Sequence, residues 1–121
     1  MKKLLIILCL VLLSSYSYSE EVPFNQLVER QGITYKINST TPFTGSSVSY
    51  HENGQLMTKV NLKNGIPDGP WEGFYENGQL KERGNIKDLA QDGIVEYFDK
   101  EGNLIETEEW KDGVLQVQIR K

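Results

Sequence analysis

Cysteine and histidine are almost absent from this chain: Cys9 and His51 are the only ones among 121 residues. A metal centre needs several converging thiolate, imidazole or carboxylate ligands, so no His/Cys cluster can form here and no cofactor is implied. A nucleophile at Ser46, Ser47 or Ser49 would have to take its base from His51 alone. Basic side chains are in deficit as well, 13 Lys and Arg against 17 Asp and Glu, a formal charge of −4. That deficit argues against nucleic acid and against anionic membrane surfaces, both of which need a basic face. Long apolar runs are missing too. The longest, Leu4 to Leu13, has ten residues, about half of what a helix needs to cross a bilayer. Nowhere do apolar residues recur at helical spacing.

The short apolar run has a different meaning. Lys2 and Lys3 precede it and the small residues Ser14, Ser15, Ser17 and Ser19 follow it, the pattern of a secretory signal peptide over residues 1–19. Cleavage is expected after Ser19, with Ser17 as the second choice, giving an exported chain, periplasmic or secreted, that starts at Glu20. Cys9 lies inside the apolar run and follows Leu8, where lipoprotein processing requires a small residue, so it reads as a small hydrophobe. Without the leader the chain has no cysteine to form a disulfide. Taking Lys2 and Lys3 from the 13 basic side chains leaves 11 against 17 acidic, a formal charge of −6.

What the chain has instead is a period. Gly45, Gly69 and Gly93 lie 24 residues apart, and so do Gly54, Gly78 and Gly102. The copies run from Gly45 to Asp68, from Gly69 to Asp92, and from Gly93 onward. Units of this length bury their apolar faces by stacking on neighbours. Within each copy two β-rich runs flank Glu52-Asn53-Gly54, Glu76-Asn77-Gly78 or Lys100-Glu101-Gly102. A two-residue turn would force Glu101 to positive φ; a three-residue loop leaves only Gly54, Gly78 and Gly102 in the left-handed region. That loop pairs Tyr50 with Leu56, Phe74 with Leu80 and Phe98 with Leu104. Together with Leu62, Ile86 and Trp110 these residues form the predicted core face. The other face is expected to carry Trp71, Tyr75 and Tyr97 beside Lys81 and Arg83, the candidate partner-contact residues.

A second turn ends each copy, Asn64-Gly65 in the first and Asp112-Gly113 in the third. The second copy has Leu89 where glycine would stand, which predicts a longer loop or another turn type. Before the copies, residues 20–44 divide into a loosely held tail, Glu20 to Asn25, and a lead-in hairpin, Leu27–Arg30 with Ile33–Ile37 around Gln31-Gly32. After them, Leu115, Val117 and Ile119 alternate with Gln116 and Gln118 as a capping strand. The expected fold is therefore all-β: tandem β-hairpins in an elongated, twisted, single antiparallel sheet.

Catalysis finds little support. His51 occupies the place of Tyr75 and Asp99 in the other copies, a flank of the loop. Ser46, Ser47 and Ser49 are expected on exposed strand positions. Glu72 and Glu82 would face each other, and Glu106, Glu108 and Glu109 crowd one strand, yet nothing in the pattern converges them into a site. Rigid aromatics on a sheet face suit partner contact better, and an open edge strand offers a second route by strand addition.

Gly-x-Trp-x-x-Phe-Tyr-x-Asn-Gly-Gln-Leu, Gly69 to Leu80, followed by Gly-Asn-Ile-Lys-Asp, resembles the MORN repeat variant. Leu27 to Gly45 is similar to the entry segment of the same group. The resemblance implies a row of β-hairpins in one sheet, and a function as an antitoxin component of a toxin-antitoxin system. With a leader, that role becomes an immunity-like one outside the cytoplasm. The expected activity is non-enzymatic protein binding. The alternative is an envelope-associated module that touches lipid or cell-wall polymer through its aromatic face.

Overall fold

The computed structural model describes residues 20–121; the leader predicted over residues 1–19 lies outside them. Strands β1 (Glu21–Pro23), β4 (Gly45–Tyr50), β5 (Leu56–Lys63), β6 (Ile66–Phe74), β7 (Leu80–Lys87), β9 (Gly93–Phe98), β10 (Leu104–Lys111) and β11 (Val114–Arg120) lie side by side in that order in one sheet. The two-residue strand β8 (Ala90–Gln91) pairs with β7, and β2 (Leu27–Arg30) with β3 (Ile33–Lys36) forms a separate hairpin. All pairings in the main sheet are antiparallel except β1 with β4. The expected single sheet of tandem hairpins is thus observed.

The three-residue loops are present as the glycine spacing requires. Gly54, Gly78 and Gly102 take φ of 86°, 88° and 91°, while Asn53, Asn77 and Glu101 stay at negative φ. Tyr50 pairs with Leu56, Phe74 with Leu80 and Phe98 with Leu104. Immediately beyond each pair, however, the register shifts by one residue. A bulge of this kind reverses the alternation of faces, so the predicted core face does not continue past it. Glu72 consequently lies opposite Arg83, and Glu82 opposite Gly73, so the expected Glu72–Glu82 pair is not formed. The ladder thereby replaces a repulsive cross-strand pair with an attractive one.

Burial follows the bulges. Leu62 is buried, but Tyr50 is 52 % exposed, and the core proper is Val22, Phe43 and Leu62 with Leu27 packed against them, plus Val48 and Val95. Val22 overturns the loose tail expected over Glu20 to Asn25: Glu21–Pro23 form β1, and a single 3₁₀ turn, Phe24–Gln26, follows. Three residues are too few to show a period, which is why the strand escaped the pattern. Ser46 and Ser49 are likewise buried, against expectation. Ser46 Oγ donates to Asn61 Oδ1, and Ser49 shares a hydrogen bond with Thr58, so both hydroxyls are used by the fold.

The tight turns form one series. Gln31-Gly32, Asn64-Gly65 and Asp112-Gly113 have positive φ at both residues, the type I′ geometry of two-residue hairpins. Asp88-Leu89 does the same, with φ of 51° and 65°, and Lys87 pairs with Ala90 across it. The irregular loop expected here is absent: the second copy keeps the turn and places a leucine where glycine is favoured, at a cost of about 1 kcal/mol or more.

Candidate partner-binding surface

Successive copies are stitched at the loop row. His51 Nε2 lies 2.8 Å from the Phe74 carbonyl oxygen, and one period later the Tyr75 hydroxyl donates to the Phe98 carbonyl at 2.7 Å. A carbonyl only accepts, so Nε2 carries the hydrogen, and His51 has a structural partner. Asn53 Nδ2 donates to the Glu76 carbonyl at 2.7 Å and Asn77 Nδ2 to the Lys100 carbonyl at 2.9 Å. In the third copy the equivalent residues, Asp99 and Glu101, make no such bond to a later strand among the described residues. Asp99 turns inward instead, its Oδ1 accepting from the Glu101 and Asn103 amides. The Asn103 amide, more than any other contact, holds the Asp99 carboxyl below its usual range.

The candidate contact residues separate into three places. Tyr75 and Lys81 belong to the loop row, where the Lys81 and Lys100 ammonium groups lie 5.7 and 6.0 Å from the Tyr75 ring centre, in a groove of about 480 Å³ shared with His51 and Asn77. Trp71 and Tyr97 lie on one sheet face. Paired residues share a face, and Tyr97 stands between Glu82 on β7 and Glu106 on β10. Its hydroxyl donates to Glu108 Oε1 at 2.7 Å, and Trp110 Nε1 donates to the same oxygen at 3.3 Å. Burial, then the bond to Glu108 and the charges of Glu108, Glu82 and Glu106, push the Tyr97 hydroxyl well above its usual range. Arg83 falls on the opposite face, one residue out of phase with Glu82. It pairs with Glu96 at 2.8 Å and lies 5.6 Å from the Phe98 ring centre. The expected grouping of Trp71, Tyr75 and Tyr97 with Lys81 and Arg83 is therefore broken by the bulge between Gly73 and Phe74.

None of these aromatics is free to reorient. The Trp71 ring lies over Gly84 so closely that a Cβ there would sit 2.7 Å from Cζ2, and Nε1 donates to Gln91. In a single-layer sheet no second layer covers the strands, so large side chains lying flat across glycine take over that role. The face they make is a strip of half-buried aromatics, Trp71, Tyr97 and Trp110, interleaved with Glu82, Glu106 and Glu108. Among the described residues no group of His, Cys, Asp and Glu is placed to hold a metal.

Several apolar side chains that the sequence pattern does not single out as surface are exposed: Ile94, Ile105, Val117 and Ile119, each between 41 and 52 % exposed, and Leu89 at 73 %. The alternation over Leu115 to Ile119 is a signal, and it predicts the capping strand. In the structure every residue of β11 is exposed. The bulge between Glu109 and Trp110 also sets Leu115 opposite Trp110 while Val117 stands opposite Glu109, so the run does not lie on one face.

The family described as MORN repeat variant matches residues 43–64, 67–88 and 91–112, together more than half of the chain. No curated protein and no solved structure matches it.

Proposed function

The chain belongs to the MORN repeat variant family, and from that premise we propose that it is an exported, non-catalytic module that binds a protein partner bearing basic side chains. An antitoxin or immunity-type component is the form of this role that the resemblance suggests. The observation that carries the reading is the strip around Tyr97: Glu82 and Glu106 flank it on neighbouring strands, and Glu108 holds its hydroxyl. Rigid rings between carboxylates offer cation–π and charge-assisted contacts to Lys or Arg at low entropic cost. The acidic balance of the whole chain steers such a partner toward it. The same carboxylates speak against contact with anionic lipid, the alternative use of an aromatic face.

Affinity capture from periplasmic extract, followed by binding measurements with the purified partner, tests the proposal. A basic protein should be retained, and its affinity should fall at least about tenfold in Glu82→Gln/Glu106→Gln and with added salt. Capture of nothing, together with substrate turnover by the purified chain, would refute it.

A further inference from the structure

Among the described residues the main sheet has two edges, β1 and β11, and of these β11 is open. At the N-terminal edge β1 has three residues, contains Pro23 and runs straight into the 3₁₀ turn, all features that block strand addition. At the other edge β11 has seven residues, no proline and no inward-pointing charge, and among the described residues nothing pairs with its outer side. Lys121 N donates to the Ile105 carbonyl, so odd-numbered residues after the bulge turn their main-chain groups toward β10. By the alternation of an antiparallel ladder, Gln118 and Arg120 turn theirs outward.

We infer that β11 is the seam of a two-fold symmetric dimer, pairing antiparallel with β11 of a second copy about an axis at Gln118. Of the possible occupants of this edge, a second copy is favoured by how well the strand complements itself. With Gln118 opposite its own counterpart, Val117 falls opposite the second copy's Ile119, and Ile119 opposite its Val117. Both lie on the face opposite Tyr97, because Val117 and Ile119 stand against Glu109 and Thr107 while Glu106 and Glu108 share the face of Tyr97. Exposed apolar side chains thus meet across the seam on one face. On the other, Arg120 lies opposite Gln116, and the two Arg120 residues stay about 13 Å apart, four strand residues. Each Arg120 is already paired with Glu106 at 2.8 Å. Because the far edge is blocked, a β11-to-β1 contact cannot propagate, and the assembly closes at two copies rather than growing into a fibre. Two seven-residue strands make a small interface, so the dimer dissociates on dilution.

Light scattering coupled to size exclusion, run over a concentration series, decides the matter. The expected result is twice the monomer mass, falling toward the monomer on dilution. Gln118→Pro removes one outward N–H without touching the inward ladder, and Val117→Lys sets charge into the apolar seam without altering the main chain. Each variant should be monomeric with an unchanged circular dichroism spectrum. A wild-type monomer at every concentration, an open-ended series of larger species, or a dimer that survives in either variant would overturn the inference. The seam residue Arg120 bonds Glu106 of the partner-binding strip, but the mutated residues Val117 and Gln118 lie outside that strip, so loss of the dimer with retained partner binding separates the two proposals.

Discussion

The two ends of the sheet differ in their strands, three residues in β1 against seven in β11, and are stabilised very differently. At the first end Val22, Phe43 and Leu62 close a small core, with Leu27 of the lead-in hairpin packed on it. That hairpin is tied to the first repeat through a main-chain bond from Thr34 N to the Gly65 carbonyl and to the entry segment through one from Phe43 N to the Thr34 carbonyl. At the last end β11 rests, among the described residues, on β10 alone and buries none of its residues. A one-layer repeat draws its stability from neighbours, so a terminal unit must receive a cap or stay exposed. Here the N-terminal segment is the cap, and among the described residues the strand after the third copy is bare. The loop row ends differently again: Asp99 and Glu101 replace the side chains that in earlier copies reach the next unit, and the Asp99 carboxylate bonds within its own loop.

The largest expected contrast between the ends is in the core. Phe43→Ala should cost about 3–4 kcal/mol, whereas Ile119→Ala should change stability by less than about 0.5 kcal/mol, both read from urea unfolding. Equal losses would show that β11 is covered by something else.

The equivalent turn glycines come next. Gly65 has φ of 79°, and a Cβ there would meet Ile33 Cγ2 and the Thr34 carbonyl well inside contact distance; at Gly113, φ is 77° but only the Ala90 Cβ is near, at 3.1 Å. Gly65→Ala should therefore cost about 2–3 kcal/mol and Gly113→Ala about 1 kcal/mol, because the strain is shared and the clash with main chain is not. The order of the two melting temperatures checks it.

Between the ends, Tyr97→Phe should cost about 1 kcal/mol at neutral pH by removing the bond to Glu108. Its pH dependence has a defined sign. The folded-state value of the hydroxyl is raised above 10.0, so its contribution is complete below that pH and is lost as pH rises toward the folded value. Wild-type stability should fall above about pH 10, and the phenylalanine variant should lack that part of the fall in a pH series of unfolding curves.

The smallest effect is a gain. Leu89→Gly relieves a left-handed leucine that is 73 % exposed, and after the entropic cost of glycine about 0.5 kcal/mol of stabilisation should remain in a thermal melt. A loss would mean that the Leu89 side chain packs on something the turn geometry does not reveal.

Legibility tracked locality. A three-residue loop can be read from Gly54, Gly78 and Gly102 because only the backbone of the loop itself is involved, and the pairs Phe74–Leu80 and Phe98–Leu104 follow from loop length. The bulge that comes next is a property of two strands, and it moved Arg83 away from Trp71 and Tyr97. Likewise β1 pairs with β4 across an intervening hairpin, more than 20 residues on, and no local pattern announces so short a strand. Leu89 shows the reverse: its side chain argued against a tight turn, but the flanking ladder, once formed, held the turn regardless.

The amino-acid order alone determined the period, the hairpin loops and the absence of any His/Cys centre, because these depend on side-chain inventory and on φ values within three or four residues. Tertiary structure decided which side chains share a face, which edge is capped and where the carboxylates gather, because register across a bulge and contacts between distant segments are set by the pairing of whole strands.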